Sequence, residues 1–339
     1  MKPGAFRFLL ASAVVVHHFS SFAIGHAAVY LFFILSGYWI TQMWEAKYSK
    51  TASPYVTFVA SRYWRLWPVF IVCSLGMLVW RPLPASLADL TPSIFLVGYA
   101  TATYQPLYPA WSLDFEMQFY LLAPLLCIGL RRAPAATIGA VGVVSLTAAI
   151  TFGMRSMLTL LPFFVIGMVA ARWRALPGRR LAIASATAAV LLLGVFALVP
   201  ALRPVLFGGT ARAAAFAFNE HLNVALALAA VPFALHTVTV PADRRDALLS
   251  DWSFSLYLFH VIPLVAMAKA FPWIPKLPAA ERLPYVAAAL AVAYGGSILI
   301  TLLVDRPTNR ARSAFVRGRE QKNPRGLPVA GASTVGRET

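Results

Sequence analysis

Charge is what this chain has least of. Only 12% of its 339 residues are charged, where a soluble domain carries about a quarter. Acidic residues are the scarcer sign, 12 Asp and Glu against 29 Lys and Arg. So few charges cannot cover a water-exposed surface, which excludes a soluble globular fold. The two cysteines, Cys73 and Cys127, fall inside apolar runs. They imply neither a disulfide scaffold nor a metal site and read as small core residues. No internal repeat is present, and no stretch resembles a soluble folded appendage.

What abounds is apolar sequence. Hydrophobic residues make up 60% of the chain, and the mean hydropathy is +0.71. Ten nearly uncharged runs, at 4–22, 26–44, 59–80, 111–130, 135–152, 156–172, 181–200, 221–238, 252–270 and 283–304, approach the length needed to cross a hydrocarbon core of about 30 Å. The expectation is an all-α polytopic membrane protein of about ten transmembrane helices, with both termini cytoplasmic. Residues 1–305 form the membrane domain, and 306–339 a basic cytoplasmic tail without fixed structure. In that orientation 22 Lys and Arg lie inside and 7 outside, the bias of a multi-pass protein of the cytoplasmic (inner) membrane. Topology and membrane-lipid contact, not nucleic acid, then account for the net charge of +17. Lys2, the apolar run and Ala27-Ala28 imitate a cleaved signal, but Arg7, His17 and His18 interrupt its core. Residues 94–100 are apolar but too short to span and are expected to be re-entrant or interfacial. The runs between 135 and 238 read as scaffold.

Ionisable residues inside membrane segments are costly and mark functional paths. Arg7 and His18 stand eleven residues apart, so on a helix they share a face about 16 Å apart along the axis. His17 points elsewhere and reads as packing. Arg62 and Arg65 open the third run at the inner side, Asp114 and Glu116 enter the fourth from outside, and His260 lies within the ninth. Arginines therefore gather inside, while His18, Glu116 and His260 gather in the middle and outer half. Guanidinium forks suit a phosphorylated handle at the inner face. An acyl group on that handle could reach His18, acting as general base toward a hydroxyl or as nucleophile. Glu116 would orient the imidazole or balance its charge.

Each residue also has a duller reading. The arginines could be lipid-phosphate anchors, His260 a hydrogen-bonded core residue and Asp114 an interfacial carboxylate. Ser36-Gly37 could be a helix-packing point. His26, His221 and His236 fall near span ends and receive no role. A proton-coupled transporter using His18, Glu116 and His260 is the rival function, and an acyl exporter serving another enzyme is a second.

Six segments, in order, resemble the acyltransferase-3 family of integral membrane O-acyltransferases. Arg7 to His18 matches its Arg, ten residues, His pattern, and V-Y-L-F-F-I-L-S-G-Y-W-I (29–40) its "FF-x-x-SG" signature. R-Y-W-R-L-W-P (62–68) resembles "R-x-x-R-l-x-P", and W-S-L-D-F-E-M-Q-F-Y-L-L-A-P (111–124) resembles "WSL-x-x-E-x-x-FY-x-x-x-P". S-F-S-L-Y-L-F-H (253–260) resembles "SY-x-x-YL-x-H" with Phe254 for tyrosine, and V-D-R-P the "E-x-P" ending with Asp305 for glutamate. The resemblance covers Arg7 to about Pro307. It implies ten helices and transfer of an acyl group, commonly acetyl, from acyl-CoA as co-substrate, with no tightly bound cofactor and no metal. The acceptor it implies is a hydroxyl of a carbohydrate or lipid-linked glycan. Arg7, Arg62 and Arg65 would bind the donor, His18 and Glu116 would be catalytic, and Ser36, Tyr257 and His260 would serve the acceptor or support the site. Some relatives carry a fused extracytoplasmic domain; this chain would act alone or with a separate partner protein outside.

Overall fold

A computed structural model describes residues 1–84, 86–154, 156–208 and 212–320. Among them, helices of ten residues or more are numbered here α1 (Pro3–Phe19), α2 (Gly25–Ala46), α3 (Pro54–Met77), α4 (Trp111–Arg132), α5 (Pro134–Phe152), α6 (Met157–Trp173), α7 (Arg179–Leu198), α8 (Asn219–Thr237), α9 (Arg244–Phe259), α10 (Val261–Ala270), α11 (Ala279–Ile300) and α12 (Arg306–Arg317). A lone bridge between Thr51 and Glu320 is the only β pairing among the described residues. The fold is all-α. Every expected run coincides with a helix, the ninth being split into α9 and α10 at His260.

Seven segments are long and apolar enough to cross a membrane by length and composition: α2, α4, α5, α7, α8, the α9–α10 pair and α11. The other three fall short for visible reasons. α1 and α6 have 17 residues each, about 26 Å of helix, and α3 carries Arg62 and Arg65. The peripheral helices α5 and α7 leave Ile150, Phe152, Val190 and Leu198 exposed, apolar faces that only lipid would cover. Arg155, one of the seven outer cations, and residues 321–339 lie outside the described residues.

Glycine sets the tightest crossing. A Cβ on Gly37 of α2 would lie 1.9 Å from the Phe164 carbonyl oxygen of α6, and one on Gly167 of α6 would lie 1.9 Å from that of Ile34. The two backbones touch through these two positions. Ser36-Gly37 is therefore a packing point at Gly37, while Ser36 faces the interior.

A second register holds α1 parallel to α9. Asp246 accepts hydrogen bonds from Gly4 N (2.9 Å) and Ala5 N (2.8 Å), satisfying two free amides at the α1 N-terminus and placing negative charge at the positive end of its dipole. Arg7 Nη1 donates to Ser250 (3.3 Å), and His18 stacks on His260. Asp243 caps α9 by accepting from Asp246 N (2.8 Å). Its bond from Lys2 holds its carboxyl below the usual range.

The segment between α3 and α4 folds back into the bundle. Tyr63 OH and Trp67 Nε1 both donate to the Ile94 carbonyl (3.0 and 2.8 Å), and Leu96 and Tyr99 are fully buried. Those α3 residues precede Met77 by fourteen and ten positions, so the loop descends about 15–20 Å from the helix end. It is re-entrant. Asp114 pins it: this fully buried carboxylate accepts from Gly98 N (3.0 Å), Ala100 N (2.8 Å) and Gln118 (2.8 Å). Asp114 is thus a structural anchor and not an interfacial charge. Asp114→Ala strands two amides and is expected to cost about 2–6 kcal/mol at 1–3 kcal/mol per orphaned donor. It should lower the unfolding midpoint in detergent and open residues 91–105 to protease, whereas an unchanged midpoint would refute the anchoring role.

One expectation is corrected. Residues 306–317, assigned to an unstructured tail, form α12. It follows a π-turn at Thr301–Asp305 and runs antiparallel to α3. Phe315 packs on Trp64 (5.7 Å), Arg312 donates to Ser61 (3.1 Å), and Ala52 N donates to Arg319 O (3.1 Å). Burial of Val316 adds the apolar contact that a purely solvated tail would lack.

Candidate active site

At the end of the bundle that holds the chain's N-terminus, α1, α2, α3, α4, α9 and α12 surround a cavity of about 970 Å³. Arg7, Arg62, Arg65, Arg306, Arg310, Arg312 and Arg317 line it, with Glu116, Asp246 and Asp251 as its carboxylates. Its interior end is formed by Val29, Phe32, Phe33, Ser112, Leu113 and Tyr257. A strongly cationic outer part therefore leads to a largely apolar inner part, a gradient suited to a molecule with an anionic head and a neutral tail.

Arg62 is 6% exposed. Its Nη2 donates to Tyr48 OH (2.7 Å), which is bonded to Ser61 (2.8 Å), while its buried Nε has no partner among the described residues. Arg65 pairs with Asp305 and lies over the Phe254 ring at 4.5 Å. The two departures from the family pattern, Phe254 and Asp305, thus meet on one guanidinium. Arg7 reaches Ser250 and lies 6.0 Å from the Trp39 ring centroid. All three arginines expected at the donor site line the cavity.

Glu116 also lines it, but not beside His18. Its Oε1 accepts from Ser36 Oγ (2.8 Å) and from Tyr120 OH (2.5 Å). The carboxylate is fixed by two hydroxyls on the cavity wall, so it does not orient the imidazole as the sequence suggested. Depth along the helices was matched, but the direction of Glu116 around α4 is set by packing against α2.

His18 and His260 lie beyond the cavity's interior end. Their rings stack at 5.2 Å with 19° between planes, and Tyr108 meets His18 edge-on at 5.0 Å. His260 is fully buried; its Nδ1 faces the Leu256 carbonyl (3.1 Å) and its Nε2 has no partner among the described residues. An Nδ1–H donated to that carbonyl leaves Nε2 as a basic lone pair. Tyr257 stands between cavity and stack. Its ring is 6.4 Å from that of His260, and its hydroxyl bonds Ser112 Oγ (2.7 Å) and the Pro109 carbonyl (2.9 Å).

His17 packs on Gly25, where a Cβ would come within 2.7 Å of its ring. It lies 5.9 Å from His26, whose Nδ1 contacts Glu220 (2.6 Å). The unassigned His26 therefore belongs to a contiguous histidine cluster that sequence spacing did not reveal. The α12 arginines were also missed. Their signal was present: positions 306, 309, 310, 313 and 317 recur at helical spacing, with Phe315 on the opposite side.

The chain matches the acyltransferase domain of the acyltransferase-3 type over residues 4–302. It is also 29% identical over 276 residues to the exopolysaccharide production protein ExoZ of Rhizobium meliloti strain 1021, covering 75% of this chain and 80% of that protein. No solved structure matches it. With its membrane helices, the Arg7–His18 stripe and the arginine-lined cavity in place, the match over nearly the whole fold places this chain in the acyltransferase-3 family.

Proposed function

We propose that this protein is a multi-pass O-acyltransferase of the cytoplasmic membrane that moves an acyl group, acetyl in kind, from acyl-CoA to a hydroxyl of a carbohydrate or lipid-linked glycan. The observation that carries the reading is the line from arginines, through the apolar inner cavity, to the His18–His260 stack. The phosphates of the donor meet Arg7, Arg62 and Arg65 as charge-assisted hydrogen-bond acceptors. The arm extends inward and presents its thioester at Tyr257 and Ser112. The likeness to an exopolysaccharide production protein supports a carbohydrate acceptor.

Two chemical routes fit this arrangement. In one, an imidazole takes the acceptor's hydroxyl proton as its oxygen attacks the thioester carbonyl; the C–S bond breaks, and the CoA thiolate is protonated as it leaves. In the other, an imidazole nitrogen attacks the thioester carbonyl, the C–S bond breaks and the CoA thiolate leaves and is protonated; the acceptor hydroxyl then displaces the imidazole from the acyl group and gives it its proton. Glu116, held by Ser36 and Tyr120, supports the cavity wall in both.

Labelled acetyl-CoA, supplied to purified protein in liposomes with and without added glycan, tests the reading. Label passed to glycan, or trapped on protein, supports it; no label movement from any short acyl-CoA by folded protein would favour a transporter. Arg7→Ala and Arg62→Ala should each weaken CoA binding roughly 10- to 150-fold, the equivalent of losing one charged hydrogen bond of about 1.5–3 kcal/mol. Unchanged CoA affinity in both variants would return these residues to structural anchoring.

A further inference from the structure

We propose that α12 is the outer jaw of the donor cavity and recognises a phosphate carried on the donor's ribose, so that the site selects a 3′-phosphorylated CoA thioester over one lacking that group. This rests on the acyl-CoA reading above. α12 begins at Arg306, beyond the 4–302 region matched to the family, and no role follows from that match for its arginines.

The argument starts from depth. Asp305 pairs with Arg65, Arg312 bonds Ser61, and Arg319 O meets Ala52 N. The helix therefore runs outward along α3, from the level of Arg65 to the start of that helix. Arg310 and Arg317 lie seven residues apart on its cavity face, about 10 Å along the axis. His18 stands about 16 Å beyond Arg7 in the opposite direction. A donor with its thioester at the inner end puts its diphosphate near Arg7, Arg62 and Arg65, and its nucleotide against α12.

Charge points the same way. Among the described residues, seven guanidiniums meet three carboxylates in the cavity, with Asp305 behind Arg65, leaving three positive charges unmatched. A diphosphate supplies about two negative charges, and a phosphate monoester adds about 1.5–2 more at neutral pH. The diphosphate alone leaves the cavity positive; the additional phosphate does not. Arg306 is engaged by Asp251 (3.5 Å), whereas Arg310 and Arg317 form no ion pair among the described residues. A bilayer headgroup is the weaker occupant because these side chains line the cavity that also holds Glu116 and Tyr257.

The test measures binding of CoA and of 3′-dephospho-CoA to the full chain in nanodiscs, one set of pure phosphatidylcholine and one containing phosphatidylglycerol. Wild type should bind CoA about tenfold or more tightly over the dephospho form, a margin of one charged contact. Arg310→Ala/Arg317→Ala should remove that preference by weakening CoA alone, and should flatten the salt dependence of CoA binding. Equal affinity of wild type for both ligands overturns the proposal while leaving the acyl-CoA reading intact. So does a double variant that weakens both ligands equally, or one whose defect appears only with phosphatidylglycerol, which would assign α12 to lipid. Failure of folded wild type to bind CoA at all overturns the acyl-CoA reading and this inference together.

Discussion

His18→Ala is expected to abolish acyl transfer while leaving insertion and abundance unchanged. Loss of a general base costs about 10²–10⁴-fold, and loss of a covalent carrier removes its route altogether. Structural damage should be small, because His18 is half-buried and its ring packs on those of Tyr108, His17 and His260. The stack adds a second comparison. His260 Nε2, on the ring stacked against His18, has no hydrogen-bond partner among the described residues, so His260→Phe should also lower the rate. If the two rings act as a unit, the double variant will be no slower than the worse single one. Radiolabel transfer in liposomes reads all three proteins, and normal glycan modification by His18→Ala would sink the catalytic assignment. Acid-labile label on wild-type protein, absent from His18→Ala, would select the nucleophile route over the base route.

Gly37→Val should prevent or severely weaken folding. The clash is with backbone, since any Cβ there meets the Phe164 carbonyl oxygen at 1.9 Å, and only separation of α2 from α6 relieves it. Overpacking typically costs about 1–3 kcal/mol and sometimes more; a branched side chain against a rigid carbonyl belongs at the upper end. Separation would also move Ser36, and with it the Ser36–Glu116 bond of the cavity wall. Gly76→Ala is the control: its Cβ would meet only the Ile262 Cδ1 atom at 3.2 Å, the end of a flexible side chain. Unfolding midpoints in detergent should fall steeply for the first variant and little for the second. Equal midpoints would refute the close α2–α6 contact.

Local periodicity made much of this molecule legible. The helical segments, the shared face of Arg7 and His18, and the inner clustering of Arg62 and Arg65 follow from spacing and hydropathy. Asp114 and Glu116 are two residues apart, about 200° around a helix, so one faces the cavity and the other must face away. Depth singled out Glu116, which does line the cavity; its partners Ser36 and Tyr120 were not legible, because the rotation of α4 depends on its neighbours. The register of α1 on α9 was hidden for the same reason: its partners are 242 residues apart. α12 was misread because its arginines resembled a solvated charge run. The packing of Phe315 on Trp64 and the burial of Val316 decide otherwise.

The pairing of α1 with α9 also has a consequence for biogenesis. Gly4 and Ala5 emerge from the ribosome long before Asp246, their partner 242 and 241 residues later. At roughly 5–20 residues per second, the interval is about 10–50 s. Throughout it, α1 carries Arg7, His17 and His18 into the membrane without the helix that completes their surroundings. α1 therefore waits for α9 before its N-terminus is docked, and the site becomes chemically competent only once α9 arrives.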